Sequence, residues 1–196
     1  LVPGVSGINV YIKDFDTNTV SLVSSDSQGN RLDDFGSFGS GSTISPDGSK
    51  VVFTSKGENG KAQVMMKDLN SGQLNVISKS VNGIEGNGYS GGGNFNFSGD
   101  NNYLVYNSSA SNIVDNDTNG HKDIYVYDIS SGETKRLLED RANSFNDHLW
   151  EPQITQDGKY ISFSSRTTGI TEDGGSSGNS ETYMIKSPFF EWLKKI

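Results

Sequence analysis

Ile44-Ser45-Pro46-Asp47-Gly48-Ser49-Lys50-Val51-Val52-Phe53 is an apolar lead, a polar turn and an apolar run, and the chain repeats this pattern twice more. The second copy is Phe97-Ser98-Gly99-Asp100-Asn101-Asn102-Tyr103-Leu104-Val105-Tyr106. The third is Ile154-Thr155-Gln156-Asp157-Gly158-Lys159-Tyr160-Ile161-Ser162-Phe163. The shared Asp47, Asp100 and Asp157 stand 53 and 57 residues apart. A second marker keeps step with the first: Val10-Tyr11-Ile12-Lys13-Asp14, Val64-Met65-Met66-Lys67-Asp68, Ile124-Tyr125-Val126-Tyr127-Asp128 and Thr182-Tyr183-Met184-Ile185-Lys186. The first three of these run into polar turns and then apolar segments ending in Leu22-Val23, Val76-Ile77 and Leu137-Leu138.

Each period reads as four strands: an inner strand ending at the Asp turn, a second directly after it, a third with aromatic and aliphatic alternation, and an outer fourth. Asp-Gly predicts a two-residue hairpin turn with positive φ at both central positions. Four antiparallel strands repeated every roughly 40–60 residues mark a β-propeller blade. The fold class is therefore all-β, a propeller segment of about three and a half blades, whose rings close with about four to eight. Repeats span 1–187, with a partial blade at 1–24 and blades at 38–80, 93–140 and 150–186. The remaining blades of the same ring are expected outside this stretch. Residues 188–196 break the pattern. After Pro188, the apolar Phe189, Trp192, Leu193 and Ile196 fall on one helical face and predict a short helical tail where an outer strand is due.

Composition narrows the partners. A net charge of −8 repels a phosphate backbone, which argues against nucleic acid. No apolar run reaches the length of a membrane span. Cysteine is absent, which excludes disulfides and thiolate metal sites.

Ser45–Phe53 and its two echoes resemble the Pro-Asp-Gly repeats of TolB-type propellers, over about residues 1–187. Only Pro46 keeps the proline; Gly99 and Gln156 replace it. The resemblance implies a non-enzymatic module that binds protein partners around the channel mouth, or serves as a scaffold. Two other readings stay open. One is a substrate-gating propeller of a prolyl-oligopeptidase-like hydrolase. The other is a carbohydrate-binding propeller using Phe38, Tyr89 and Trp150.

A distinct feature is Asp115-Asn116-Asp117-Thr118-Asn119-Gly120-His121-Lys122-Asp123, between two strand-like runs. Oxygen-bearing side chains stand at its first, third, fifth and ninth positions, with Gly at the sixth. That spacing suits Ca²⁺, held by the side chains of Asp115, Asp117, Asn119 and Asp123 and the backbone carbonyl of His121. An EF-hand is excluded, because its twelfth position falls on Val126. The nine-residue form resembles the hairpin calcium loops of integrin-type propellers. The alternative is an Asn/Asp-rich hairpin tip chosen for turn chemistry alone. Three carboxylates in one small loop repel by roughly 1–4 kcal/mol per pair unless a cation offsets them, and Lys122 is badly placed for that. Lys56–Lys61 is too short for an equivalent site, and Glu172–Glu181 lacks the spacing. The absence of cysteine does not fix the compartment, but a calcium loop of this type makes most sense outside the cytosol, so a periplasmic or extracellular protein is expected.

Asp147, His148, Trp150 and Glu151 precede or enter an inner strand, where propellers place ligands at the channel mouth. They are the candidate ligand-binding residues; the competing reading is a solvated loop with Trp150 packed between blades. The two histidines, His121 and His148, belong to different blades. Gly174-Gly175-Ser176-Ser177-Gly178 matches a hydrolase elbow in letters but lacks the flanking strand and helix that would hold its Ser. No catalytic residue is assigned.

Overall fold

The computed structural model describes residues 8–32, 41–139, 147–170 and 179–190. They form thirteen strands in four antiparallel sheets. β1 (Tyr11–Lys13) and β2 (Val20–Leu22) make a two-stranded unit. β3 (Ser42–Ile44), β4 (Lys50–Lys56), β5 (Ala62–Asp68) and β6 (Leu74–Val76) make the next sheet. β7 (Ser90–Phe97), β8 (Tyr103–Ser108), β9 (Asp123–Asp128) and β10 (Thr134–Arg136) make the third. β11 (Leu149–Ile154), β12 (Tyr160–Ser165) and β13 (Glu181–Lys186) make the last. In each four-stranded sheet the spatial order follows the chain order, which is the meander of a propeller blade.

The core lies between sheets. Successive side chains on a strand point to opposite faces, so Val51 and Phe53 pack towards the β1–β2 unit while Val52 packs towards the third sheet. Leu104 and Tyr106 likewise meet the second sheet, and Val105 joins Leu149, Ile161 and Phe163 of the last. A strand buried on both faces reads as a continuous apolar run rather than an alternation, which is why Val51-Val52-Phe53 and Leu104-Val105-Tyr106 are unbroken.

The repeated aspartate is a turn clamp. Ser45 Oγ donates to Asp47 Oδ1 at 2.6 Å, Ser98 Oγ to Asp100 Oδ1 at 2.6 Å, and Thr155 Oγ1 to Asp157 Oδ1 at 2.8 Å. The same hydroxyls accept the backbone N–H of Lys50, Tyr103 and Tyr160 across the hairpin. The turn is not the type I′ form expected from Asp-Gly. Gly48 N–H bonds Ser45 O, and positive φ falls on Gly48 alone (71°), with Asn101 (61°) and Gly158 (71°) at the equivalent places. Gly99 stands where Pro46 does because the neighbouring blade comes close: a Cβ there would lie 3.0 Å from Gln156 Cα and 2.4 Å from its Cγ.

Antiparallel alternation sorts the connections. One end of the sheets carries the Asp turns. The other, the loop end, carries the hairpin tips 57–61 and 109–122 and the links into β7 and β11. After β13, residues 188–190 form a turn in which Phe190 N–H bonds Ser187 O; the rest of the expected helical tail, 191–196, lies outside the described residues. Among the described residues no helix is long and apolar enough to cross a membrane.

Candidate functional site at the loop end

The 115–123 loop joins β8 to β9, and its acidic side chains separate. Asp115 is exposed, while Asp117 and Asp123 are buried. Between these two lies Arg136, from the end of β10 and only 1% exposed. Its Nη1 is 2.8 Å from Asp117 Oδ1 and 3.5 Å from Asp123 Oδ2. β10 pairs with β9 so that Arg136 stands opposite Tyr125, two residues from Asp123. Tyr125 donates its hydroxyl to Asp117 Oδ2 at 2.8 Å and is itself buried, stacked on Tyr106 at 5.6 Å between ring centroids. Asn119 Nδ2 donates to both oxygens of Asp123 at 3.1 Å, and Asn119 Oδ1 accepts the His121 N–H at 2.9 Å. Burial, and then the charge of Asp117, raise the Asp123 carboxyl to about 6. Burial and the nearby Asp117 push the Tyr125 phenol far above its ordinary value, so it stays a donor.

This differs from the cage expected for Ca²⁺. A calcium ion needs convergent oxygen acceptors. Here three of the four oxygens of Asp117 and Asp123 accept from Tyr125 or Asn119, the fourth lies against the Arg136 guanidinium, the Asn119 oxygen faces a backbone N–H, and Asp115 stands apart. Among the described residues no group of three or more His, Cys, Asp or Glu is gathered as for a metal ion. The residues as arranged fit a guanidinium, not a divalent cation.

Beside this loop, the two histidines meet. His121 and His148 pack edge to face with ring centroids 5.2 Å apart, and His148 meets Trp150 at 6.0 Å. Lys122 N–H donates to His148 Nδ1 at 2.7 Å, and Leu149 N–H bonds Lys122 O at 2.9 Å, tying β11 to the loop of the previous blade. With Nδ1 accepting, the neutral ring carries its proton on Nε2. Burial, and then the neighbouring His121, hold the His148 imidazole below its usual range. Asp147 accepts its neighbour's backbone N–H at 2.7 Å, and Arg166 lies 5.8 Å above the Trp150 ring. Of the four expected ligand residues, Asp147, His148 and Trp150 cluster. Glu151 departs: it sits at a bulge between Trp150 and Gln153 with φ 52°, and lines a separate cleft of about 450 Å³ with Asn94, Pro152 and Gln153. The sequence reading uses the backbone carbonyl of His121; its ring packs in this cluster. No local motif in the sequence singles out Arg136 or Arg166. Phe38 lies outside the described residues.

No protein-family model matches the chain, and no curated protein matches it. Solved structures do. TolB from Acinetobacter baumannii aligns with a TM-score of 0.53 at 19% identity, over 91% of this chain and 35% of that one. The tricorn protease aligns with a TM-score of 0.55 at 16% identity, over 90% of this chain and 15% of its own. A prolyl endopeptidase aligns with a TM-score of 0.53 at 19% identity, over 92% and 24%. With the sheet topology, these likenesses establish a TolB-type β-propeller fold. The chain spans about a third of the length of the Acinetobacter protein.

Proposed function

We propose that this chain is a run of blades from a larger propeller in an exported protein, without catalysis of its own, and that its loop end binds a protein partner. The observation that carries the reading is the convergence of His121, His148, Trp150 and Arg166, from two adjacent sheets, on one end of the molecule. Half-exposed aromatics beside cationic side chains are what protein-contact hot spots are built from. The propeller fold shared with TolB supports an exported, periplasmic or extracellular setting. The test compares capture of proteins from an extracellular or periplasmic extract by the wild-type chain and by His148→Ala/Trp150→Ala. A partner held by the first and lost by the second supports the reading; identical capture by both refutes it.

A carbohydrate ligand is the second reading, favoured by Tyr89. That ring is 54% exposed at the entry to β7, and Lys61 Nζ lies 5.4 Å from its centroid. Binding of a saccharide panel that Tyr89→Ala abolishes would select it. A gating role for a hydrolase, suggested by fold similarity to the tricorn protease and a prolyl endopeptidase, calls for a catalytic domain in the same gene product.

A further inference from the structure

We infer that Arg136 is the resident cation of the 115–123 loop, so that this hairpin folds and holds its shape without a divalent metal.

Two independent observations carry this. The first is the placement of charge. The Arg136 guanidinium lies within ion-pair distance of one oxygen of Asp117 and one of Asp123, while Tyr125 donates to the other Asp117 oxygen and Asn119 donates to both oxygens of Asp123. Turning the Asn119 amide over would set its oxygen against a carboxylate and its NH₂ against the His121 N–H, so its orientation is fixed by its partners. A metal would have to displace a buried guanidinium to find acceptors.

The second is the chain's own repeat. The β4–β5 hairpin is the same loop in shorter form. Asn59 accepts the Lys61 N–H at 2.9 Å as Asn119 accepts that of His121, and Gly60 and Gly120 take φ of 77° and 71°. Strand register aligns Gln63 with Asp123, since each faces the corresponding serine near the end of the previous strand, Ser55 or Ser108. Register also aligns Val76, opposite Met65, with Arg136, opposite Tyr125. Gly57 then stands for Asp117. One blade has Asp, Asp and Arg, and the other has Gly, Gln and Val. The three charges come or go together, while the hairpin persists. In the arginine-free blade Gln63 bonds to Gly86 O at 2.8 Å and accepts from Ser78 Oγ at 2.5 Å, and the Glu85 carboxylate at that corner is held by the backbone N–H groups of Glu58 and Asn59 at 3.2 and 3.1 Å. A metal site would need neither the arginine nor its loss in step with the aspartates. A pair of carboxylates bridged by one internal cation needs both.

The experiment uses CaCl₂ and EDTA as probes. For the wild-type chain, calorimetric titration with CaCl₂ gives no saturable heat, and melts in EDTA and in millimolar CaCl₂ superimpose. Arg136→Ala opens the space between the aspartates. Its melting temperature falls by roughly 10 °C, and added CaCl₂ recovers part of that loss. Saturable calcium binding by the wild type, with a rise in melting temperature that Asp117→Ala abolishes, would overturn the assignment. So would an Arg136→Ala variant that folds and melts at the wild-type temperature. If Arg136→Ala fails to fold, the wild-type titration still decides.

Discussion

Replacing Arg136 by valine, the residue at the equivalent place in the neighbouring blade, leaves Asp117 and Asp123 buried around the space their shared cation occupied. Both carboxylates reach the same guanidinium nitrogen. With oxygens about 6 Å apart and an effective dielectric of about 20, their repulsion is roughly 3 kcal/mol. Breaking a buried pair from one side costs about 3–5 kcal/mol in general, so the two routes agree. The variant has a built-in escape, since Asp123 already titrates near 6 and removal of the cation raises it further. A carboxyl whose folded pKa lies above its unfolded value contributes stability below the unfolded pKa and loses it as pH rises through the folded one. Arg136→Val should therefore lose about 3–4 kcal/mol at pH 8 and distinctly less at pH 5. The triple change Asp117→Gly/Asp123→Gln/Arg136→Val, which copies the arginine-free blade at the three aligned positions, should recover most of the loss. Urea denaturation of the three proteins at both pH values measures this. A single variant losing under about 1 kcal/mol at pH 8, or a triple variant no better than the single, would refute the reasoning.

Other consequences follow from the same geometry. The Ser45 hydroxyl, with help from Ser49, lowers the Asp47 carboxyl to about 2, and the Lys159 ammonium, then the Thr155 hydroxyl, lower that of Asp157 to about 2. Their stabilisation is therefore present above the ordinary value of 3.8 and lost as pH falls through about 2. Asp47→Asn should be less stable than wild type at pH 7, the two denaturation curves converging near pH 2. Asn101 occupies the left-handed position that glycine fills in the other two Asp turns; Asn101→Ala should cost about 1 kcal/mol while Asn101→Gly holds or gains stability, read from urea midpoints. Gly88→Ala should destabilise by about 1–3 kcal/mol, because its Cβ would lie 2.4 Å from the Ser109 carbonyl oxygen, and backbone cannot step aside; its melting temperature reports the loss.

The repeat is legible because its signal is local. Ser/Thr-x-Asp bonds its own turn, and Val51-Val52-Phe53 must be apolar on both faces wherever sheets stack. The turn type is not legible, since Asp-Gly also serves a turn in which only the glycine takes positive φ. The 115–123 spacing shows carboxylates gathered in one loop but not what offsets their charge. Arg136 is thirteen residues beyond Asp123, and only the β9–β10 register brings them together. A signal is present all the same: Gly57, Gln63 and Val76 change together to Asp117, Asp123 and Arg136, but that comparison needs the repeats aligned strand by strand. His121 and His148 belong to separate blades in the sequence, and their meeting follows from both lying at the loop end. Glu151 is grouped with His148 by adjacency, and a backbone bulge sends it elsewhere.

The most direct test of the loop end as the binding surface is an NMR map of backbone amide shifts as the captured partner is added. The account predicts perturbations centred on His121, Lys122, His148, Trp150 and Arg166. Perturbations centred instead on the Asp47, Asp100 and Asp157 turns, at the opposite end of the sheets, would contradict it.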